Sequence, residues 1–171
     1  RHVRAFQDAI DYYEKAIALC EGKKLARGLS AIYTNAGQAA FDMGDEKRAK
    51  DYFTKALEMH RKLDSLWGRS IAQGYLAFLL AKEGSYQEAL HHLMKAQEDC
   101  QKLQNPYEMG ILLRIKAQIS QRMDGDKRLE EVFKQYLTDS VEDYCKEGIQ
   151  ILEKLKDCYE VEILNQLKRC R

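Results

Sequence analysis

The sequence is short of the residues that interrupt helices: one proline and ten glycines in 171 residues. With so few obligatory breaks, and much Ala, Leu, Lys, Glu and Gln, the chain favours helices. It also lacks an excess of either charge. Twenty-eight basic side chains face 27 acidic ones, a net charge of +1, which argues against a general nucleic-acid surface and leaves room for a polar groove or a small basic patch. No apolar run approaches the roughly 18 residues of a membrane span, and no signal-peptide pattern is present. The five cysteines, Cys20, Cys100, Cys145, Cys158 and Cys170, are odd in number and widely spaced. They do not suggest a disulfide framework, and a reduced, cytoplasmic setting is the simplest reading. There is no G-x-x-x-x-G-K, no G-x-G-x-x-G and no nucleophile elbow, so neither an enzyme nor a cofactor is expected. The sequence starts at Arg1 without a methionine, and the expectation is a fragment of something longer.

What is present is a repeat. Ala9, Ala49 and Ala89 are spaced by 40 residues, and Tyr13, Phe53, Leu93 and then Ala16, Ala56, Ala96 follow at the same step. Hydrophobic residues make up 45% of the chain, enough to exclude disorder, and their spacing is that of amphipathic helices. The pattern predicts helices at 2–22, 24–43, 45–63, 65–82, 85–103, 107–122, about 127–137, 139–155 and 157–170. Gly44 should cap one helix in the left-handed conformation and Asp45 start the next. Ser85 and Glu88 have the spacing of a capping box, and Pro106 suits a first helical turn. After Arg122 the step slips. Tyr144-Cys145-Lys146-Glu147-Gly148 aligns with Tyr52-Phe53-Thr54-Lys55-Ala56 only if 12 residues are inserted. Residues 123–138 therefore read as an insertion and 139–155 as the second helix of that hairpin.

Taking Ala49 as reference, Tyr33, Ala36 and Gly37 lie upstream in the first helix of a pair, and Phe53 and Ala56 lie downstream in the second. This resembles the tetratricopeptide repeat (TPR), clearly over about 1–120 and weakly over 139–170. The step of 40 rather than the usual 34 is similar to the long TPR arrays of bacterial signalling and transcriptional regulators and of animal cell-polarity scaffolds. The resemblance implies an all-α fold of antiparallel hairpins stacked as a right-handed superhelix, an α-solenoid. It implies one TPR-like domain over 1–171, with 2–22 a lone second helix, hairpins at 24–63 and 65–103, a hairpin at 107–155 carrying the insertion, and a closing helix at 157–170. Small residues such as Ala49 and Ala56 let two helices approach to about 8–10 Å, and large ones such as Phe53 fill the gap beside them.

In such an array the first helices of the hairpins line a concave surface, and the resemblance places a protein or peptide ligand there. The inward positions should be Ala31, Thr34, Asn35, Gln38 and Asp42, then Ile71, Gly74, Tyr75 and Phe78, then Ile111, Arg114, Ile115, Gln118 and Arg122. Asn35, Gln38, Tyr75, Phe78, Arg114 and Gln118 are the candidate ligand-binding residues: amides for a peptide backbone, aromatics for contact area, and an arginine for a carboxylate. The alternative is that these residues pack between neighbouring helices. A chaperone-type carboxylate clamp is disfavoured, because Asn35 matches it while Ile71 and Tyr75 stand where basic residues belong. His91-His92 lacks the i, i+4 spacing of a helical metal site, and no metal is expected. Cys20, His60 and Cys100 share one register, which suggests buried structural roles, whereas Cys158 and Cys170 would react if exposed. Asp8, Asp11 and Glu14 read as a solvated helix face. Leu129, Val132, Phe133 and Tyr136 give the insertion an apolar face that would cap the array, dock a second copy, or pack within the chain. The expected function is non-catalytic protein or peptide binding, as the sensor of a larger cytoplasmic regulator or as a passive scaffold. A homodimer through the end helices or 123–138 is possible, and neither nucleic acid nor membrane is an expected partner.

Overall fold

The computed structural model of the protein describes residues 2–156 and 158–169. In chain order these form α1 (His2–Gly22), α2 (Ala26–Met43), α3 (Glu46–Lys62), α4 (Arg69–Lys82), α5 (Tyr86–Leu103), α6 (Pro106–Met123), α7 (Lys127–Phe133), α8 (Val141–Lys154) and α9 (Cys158–Arg169). No strand occurs among the described residues, and the fold is an all-α stack of helical hairpins. Helix α1 packs on α2, α2 pairs with α3, α4 with α5, and α6 with α8, on which α9 also lies. Helices α2, α4, α6 and α9 touch in succession and form one continuous layer.

The turns follow from local chemistry. Gly44 (φ 88°) and Gly84 (φ 85°) adopt the left-handed conformation after α2 and α4. The next amide in each case returns to the helix, Asp45 N–H to the Ala40 carbonyl and Ser85 N–H to that of Leu80, both at 2.9 Å. Asp45 caps α3 by accepting from the Arg48 amide at 3.0 Å. Ser85 does not form the expected capping box, because it makes no side-chain cap bond at all. It shares the backbone geometry of Asp45, but its hydroxyl is one bond shorter and does not reach. A full capping box stands instead at Ser140 and Asp143, heading α8. At the other end of the hairpins Lys24, Asp64 and Gln104 all take positive φ, again at a step of 40, and Lys156 follows 52 residues after Gln104.

Helix α4 begins at Arg69 rather than near 65, since Gly68 (φ 74°) ends a turn there, and α7 stops at Phe133 rather than 137. The repeat alanines Ala49, Ala56, Ala89 and Ala96 are completely buried, while Ala9 on α1 is half-buried. Phe53 is buried beside them and stacks on Tyr75 with ring centroids 4.6 Å apart and planes 9° from parallel. Burying such a ring is worth roughly 1.5–3 kcal/mol. A Cβ on Gly37 would come within 2.7 Å of that ring, so glycine is what lets α3 approach α2 here.

Helix α7 lies between α5 and α6 and caps neither end of the stack. Its Leu129 and Phe133 are completely buried, with Leu137 nearly so. Its neighbours Tyr136 and Tyr144 flank the Lys116 ammonium, 5.4 and 5.7 Å from the ring centroids. The apolar face of 123–138 is thus used within the chain, its large side chains filling the gap between α5 and α6. Cys100 and Cys145 are buried, and burial pushes the Cys100 thiol up to about 11, which suits a packing role. Cys170 lies outside the described residues, as does the side chain of Cys158.

Candidate binding surface

The six residues expected to face a ligand divide into two groups. Tyr75 and Arg114 have no exposed surface. The Arg114 guanidinium donates to Glu160 on α9 at 3.1 Å and to the Tyr75 hydroxyl on α4 at 2.6 Å, and it lies 3.6 Å from the Asp42 carboxylate on α2. It also stacks over the rings of Phe41 and Tyr75, at 5.8 and 5.3 Å. Both residues are therefore corrected from ligand contacts to interior ones. The reason is α9, which supplies Glu160 and completes a buried ionic cluster joining four helices. Burial pushes the Tyr75 hydroxyl well above its usual range, so it stays neutral beside the charges.

Asn35 is exposed, and Gln38, Phe78 and Gln118 are half-buried. Gln38, Phe78 and Gln118 occupy one register on α2, α4 and α6, so they form a strip across the layer. Gln38 donates to the Tyr107 hydroxyl at 3.3 Å, and Phe78 meets Phe41 edge to face at 5.5 Å. The Gln118 side-chain oxygen is buried without a hydrogen-bond partner. Of the other inward positions, Thr34, Ile71, Gly74, Ile111 and Ile115 are buried, whereas Ala31 and Asp42 are half-buried and Arg122 is exposed.

A second polar layer lies where α3 meets α4, and repeat logic does not anticipate it. Thr34 gives its one hydroxyl proton to the Ser30 carbonyl at 3.0 Å. Its contact with His60 Nε2, also 3.0 Å, is then a bond in which the imidazole N–H donates. Burial holds His60 neutral, lowering it to about 4, and Arg69 adds to this. Glu108 accepts from the Gly68 amide at 3.0 Å and from the Ser70 hydroxyl. Burial raises Glu108 to about 7, against the opposing effect of the Gly68 bond. Arg69 grips Asp99 with two bonds of 2.7 Å, and Gln73 adds a third at 2.8 Å. These side chains lie beneath the turn 63–68, which Glu108 holds through the Gly68 amide. They present Trp67, a lone tryptophan in a turn, to which the repeat pattern assigns no role.

Among the described residues no group of three His, Cys, Asp or Glu is placed to hold a metal ion, and the His91 and His92 rings stand 6.2 Å apart at 76°. No helix among them is long and apolar enough to cross a membrane.

Stacked antiparallel hairpins, joined through small-residue seams and a continuous layer of first helices, define a helical-repeat solenoid. Residues 1–62 match the family model of the tetratricopeptide repeat. The hairpins α4–α5 and α6–α8 continue the same build beyond the match. No curated protein matches the chain significantly. Tetratricopeptide repeats are typically non-catalytic modules of protein–protein interaction.

Proposed function

We propose that this chain is a non-catalytic protein- or peptide-binding module that serves as the sensor or interaction region of a larger cytoplasmic regulatory protein, such as a bacterial transcriptional regulator. The observation that carries the reading is the tetratricopeptide match of residues 1–62, extended by stacked hairpins through α8. The strip of Asn35, Gln38, Phe78 and Gln118 is the surface it assigns to the ligand. Amide side chains there pair with an extended backbone and Phe78 offers apolar contact. A bound segment spanning α2, α4 and α6 would bias how these helices sit against one another, and so signal to an attached domain.

Selection of a displayed random-peptide library on the protein tests this. Selected peptides should lose roughly tenfold or more in affinity on the Asn35→Ala, Phe78→Ala double variant, as expected when central contacts are removed. Unchanged affinity moves the site off this face. Failure to enrich any peptide over a helical non-repeat control removes the binding function itself.

A further inference from the structure

The turn between α3 and α4 has surface properties that hairpin packing does not require. Leu63, Asp64, Ser65 and Trp67, with Arg27 and Ser30 from the start of α2, enclose a cleft of about 400 Å3. Trp67 is the chain's one tryptophan, and it is 47% exposed at this cleft. Leu25, two residues before Arg27, is 52% exposed. Indole rings are favoured at interfaces because a large apolar body comes with little conformational freedom to lose. This ring stands on a prepared support. The Ser65 hydroxyl donates to the Trp67 carbonyl at 3.3 Å, and the Ser65 amide returns to the His60 carbonyl at 2.9 Å. The next residue, Gly68, is held by Glu108, and the Trp67 ring packs edge-on to buried His60. A partner would therefore meet a surface that needs little ordering on binding.

The chain segments that supply the cleft's lining carry more cations than carboxylates. Arg27 lines the cleft, and Lys23, Lys24 and Lys62, close to its lining residues along the chain, are exposed. The acids in the same stretches are Glu21 and Asp64, and Glu21 accepts from the Tyr33 hydroxyl at 3.0 Å. Four cations against two carboxylates is a local concentration in a chain whose net charge is only +1. A nucleic-acid strand would need a longer basic stripe than these two segments offer. An acidic peptide with an apolar side chain satisfies both the indole and the cations.

We infer that this turn is a second docking site, separate from the strip on α2, α4 and α6. It takes a short acidic segment of a partner protein, with an apolar side chain against Trp67 and carboxylates at Arg27 and the neighbouring lysines.

Because Trp67 is the one tryptophan, its fluorescence reports on the site directly. Iodide should quench it about twofold more strongly than caesium at matched ionic strength, as local positive potential concentrates an anion. Arg27→Glu should reduce that ratio, with circular dichroism checking that the helices are kept. Equal or stronger quenching by caesium overturns the proposal. A short synthetic peptide of alternating Asp and Leu should shift Trp67 emission to the blue in a saturable manner, and raised salt or Arg27→Glu should weaken it roughly fivefold. The same peptide with Asn for Asp should fail. The proposal falls if the Asn peptide binds equally, if neither peptide binds, or if a single-stranded oligonucleotide gives the same shift. The Asn35→Ala, Phe78→Ala variant should leave this titration unchanged, so the two surfaces can fail separately.

Discussion

Thr34 on α2 and Arg114 on α6 occupy the same register of the repeat, and both are buried. Thr34 bonds within its own hairpin, to the His60 imidazole of α3. Arg114 bonds outside its hairpin, to Tyr75 on α4 and Glu160 on α9, with Asp42 of α2 close by. Gly74 stands at the same register on α4 and contributes no side chain at all. At this register the first hairpin's bond is therefore local, while the third hairpin is tied to its neighbours through charge. A buried ion cluster is costly to desolvate, so its effect lies less in net stability than in what happens when one member is removed.

That contrast gives the largest expected effect. Arg114→Met leaves half-buried Asp42 and buried Glu160 without their common cation. Urea unfolding should show a loss of about 3–5 kcal/mol. Adding Asp42→Asn and Glu160→Gln should recover a large part of it. Thr34→Val, at the same register of the first hairpin, leaves one imidazole N–H unpaired and should cost about 1–3 kcal/mol. Equal losses at the two sites would erase the distinction between a neutral local pair and a charged tie.

The same contrast explains what the sequence makes legible. The hairpin α2–α3 can be read directly, because each determinant sits at a fixed short spacing: Gly37 beside Phe53, Ala49 and Ala56 on the seam, Gly44 in the turn. The all-α stacked architecture follows from repeating that unit. The interior position of Arg114 does not follow, since Glu160 lies 46 residues further on, on a helix that the 40-residue step does not reach. Without α9 in place, the face of α4 and α6 reads as an open groove, and Tyr75 and Arg114 read as its lining. Asn35 is exposed, and Gln38, Phe78 and Gln118 keep part of their surface, although Gln38 bonds Tyr107 and Phe78 meets Phe41. Trp67 is missed for a different reason: amphipathic periodicity describes helices and is silent about a turn.

The polar layer beneath that turn gives a pH-dependent test of intermediate size. Glu108 is raised to about 7 by burial, so folding favours its neutral form. The unfolded chain ionises first, and stability from this group is lost as pH rises from about 4.5 to 7. His60 is lowered to about 4, so the folded chain binds its proton less readily than the unfolded one. Its contribution is present above about 6.5 and is lost as pH falls toward 4. Between these limits the two slopes oppose each other. Glu108→Gln removes one of them and keeps an acceptor for the Gly68 amide. It should raise stability by roughly 2 kcal/mol at pH 8, have little effect near pH 4, and make stability climb more steeply with pH across the acid range. Thermal unfolding over a pH series measures all three, and parallel profiles for the two proteins would place the titration elsewhere.

The smallest expected effect returns to the close approaches in the two hairpins. An alanine methyl at Gly37 would meet three atoms of the Phe53 ring at 2.7–2.9 Å, and that ring is pinned by stacking on Tyr75. At Gly148 on α8 the contact under 3.0 Å is with one terminal methyl of Leu164, at 2.9 Å, which can turn away. Alanine is favoured over glycine in a helix by about 1 kcal/mol, while forced overpacking costs about 1–3 kcal/mol. At Gly37 the overpacking should win, and Gly37→Ala should lose about 1 kcal/mol net. At Gly148 the terms should nearly cancel, leaving Gly148→Ala within about 0.5 kcal/mol of the parent. Chemical unfolding of the two variants side by side decides it. An equal loss at both would mean that Leu164 is held as firmly as Phe53, and that the charged tie of the third hairpin is backed by packing as rigid as that of the first.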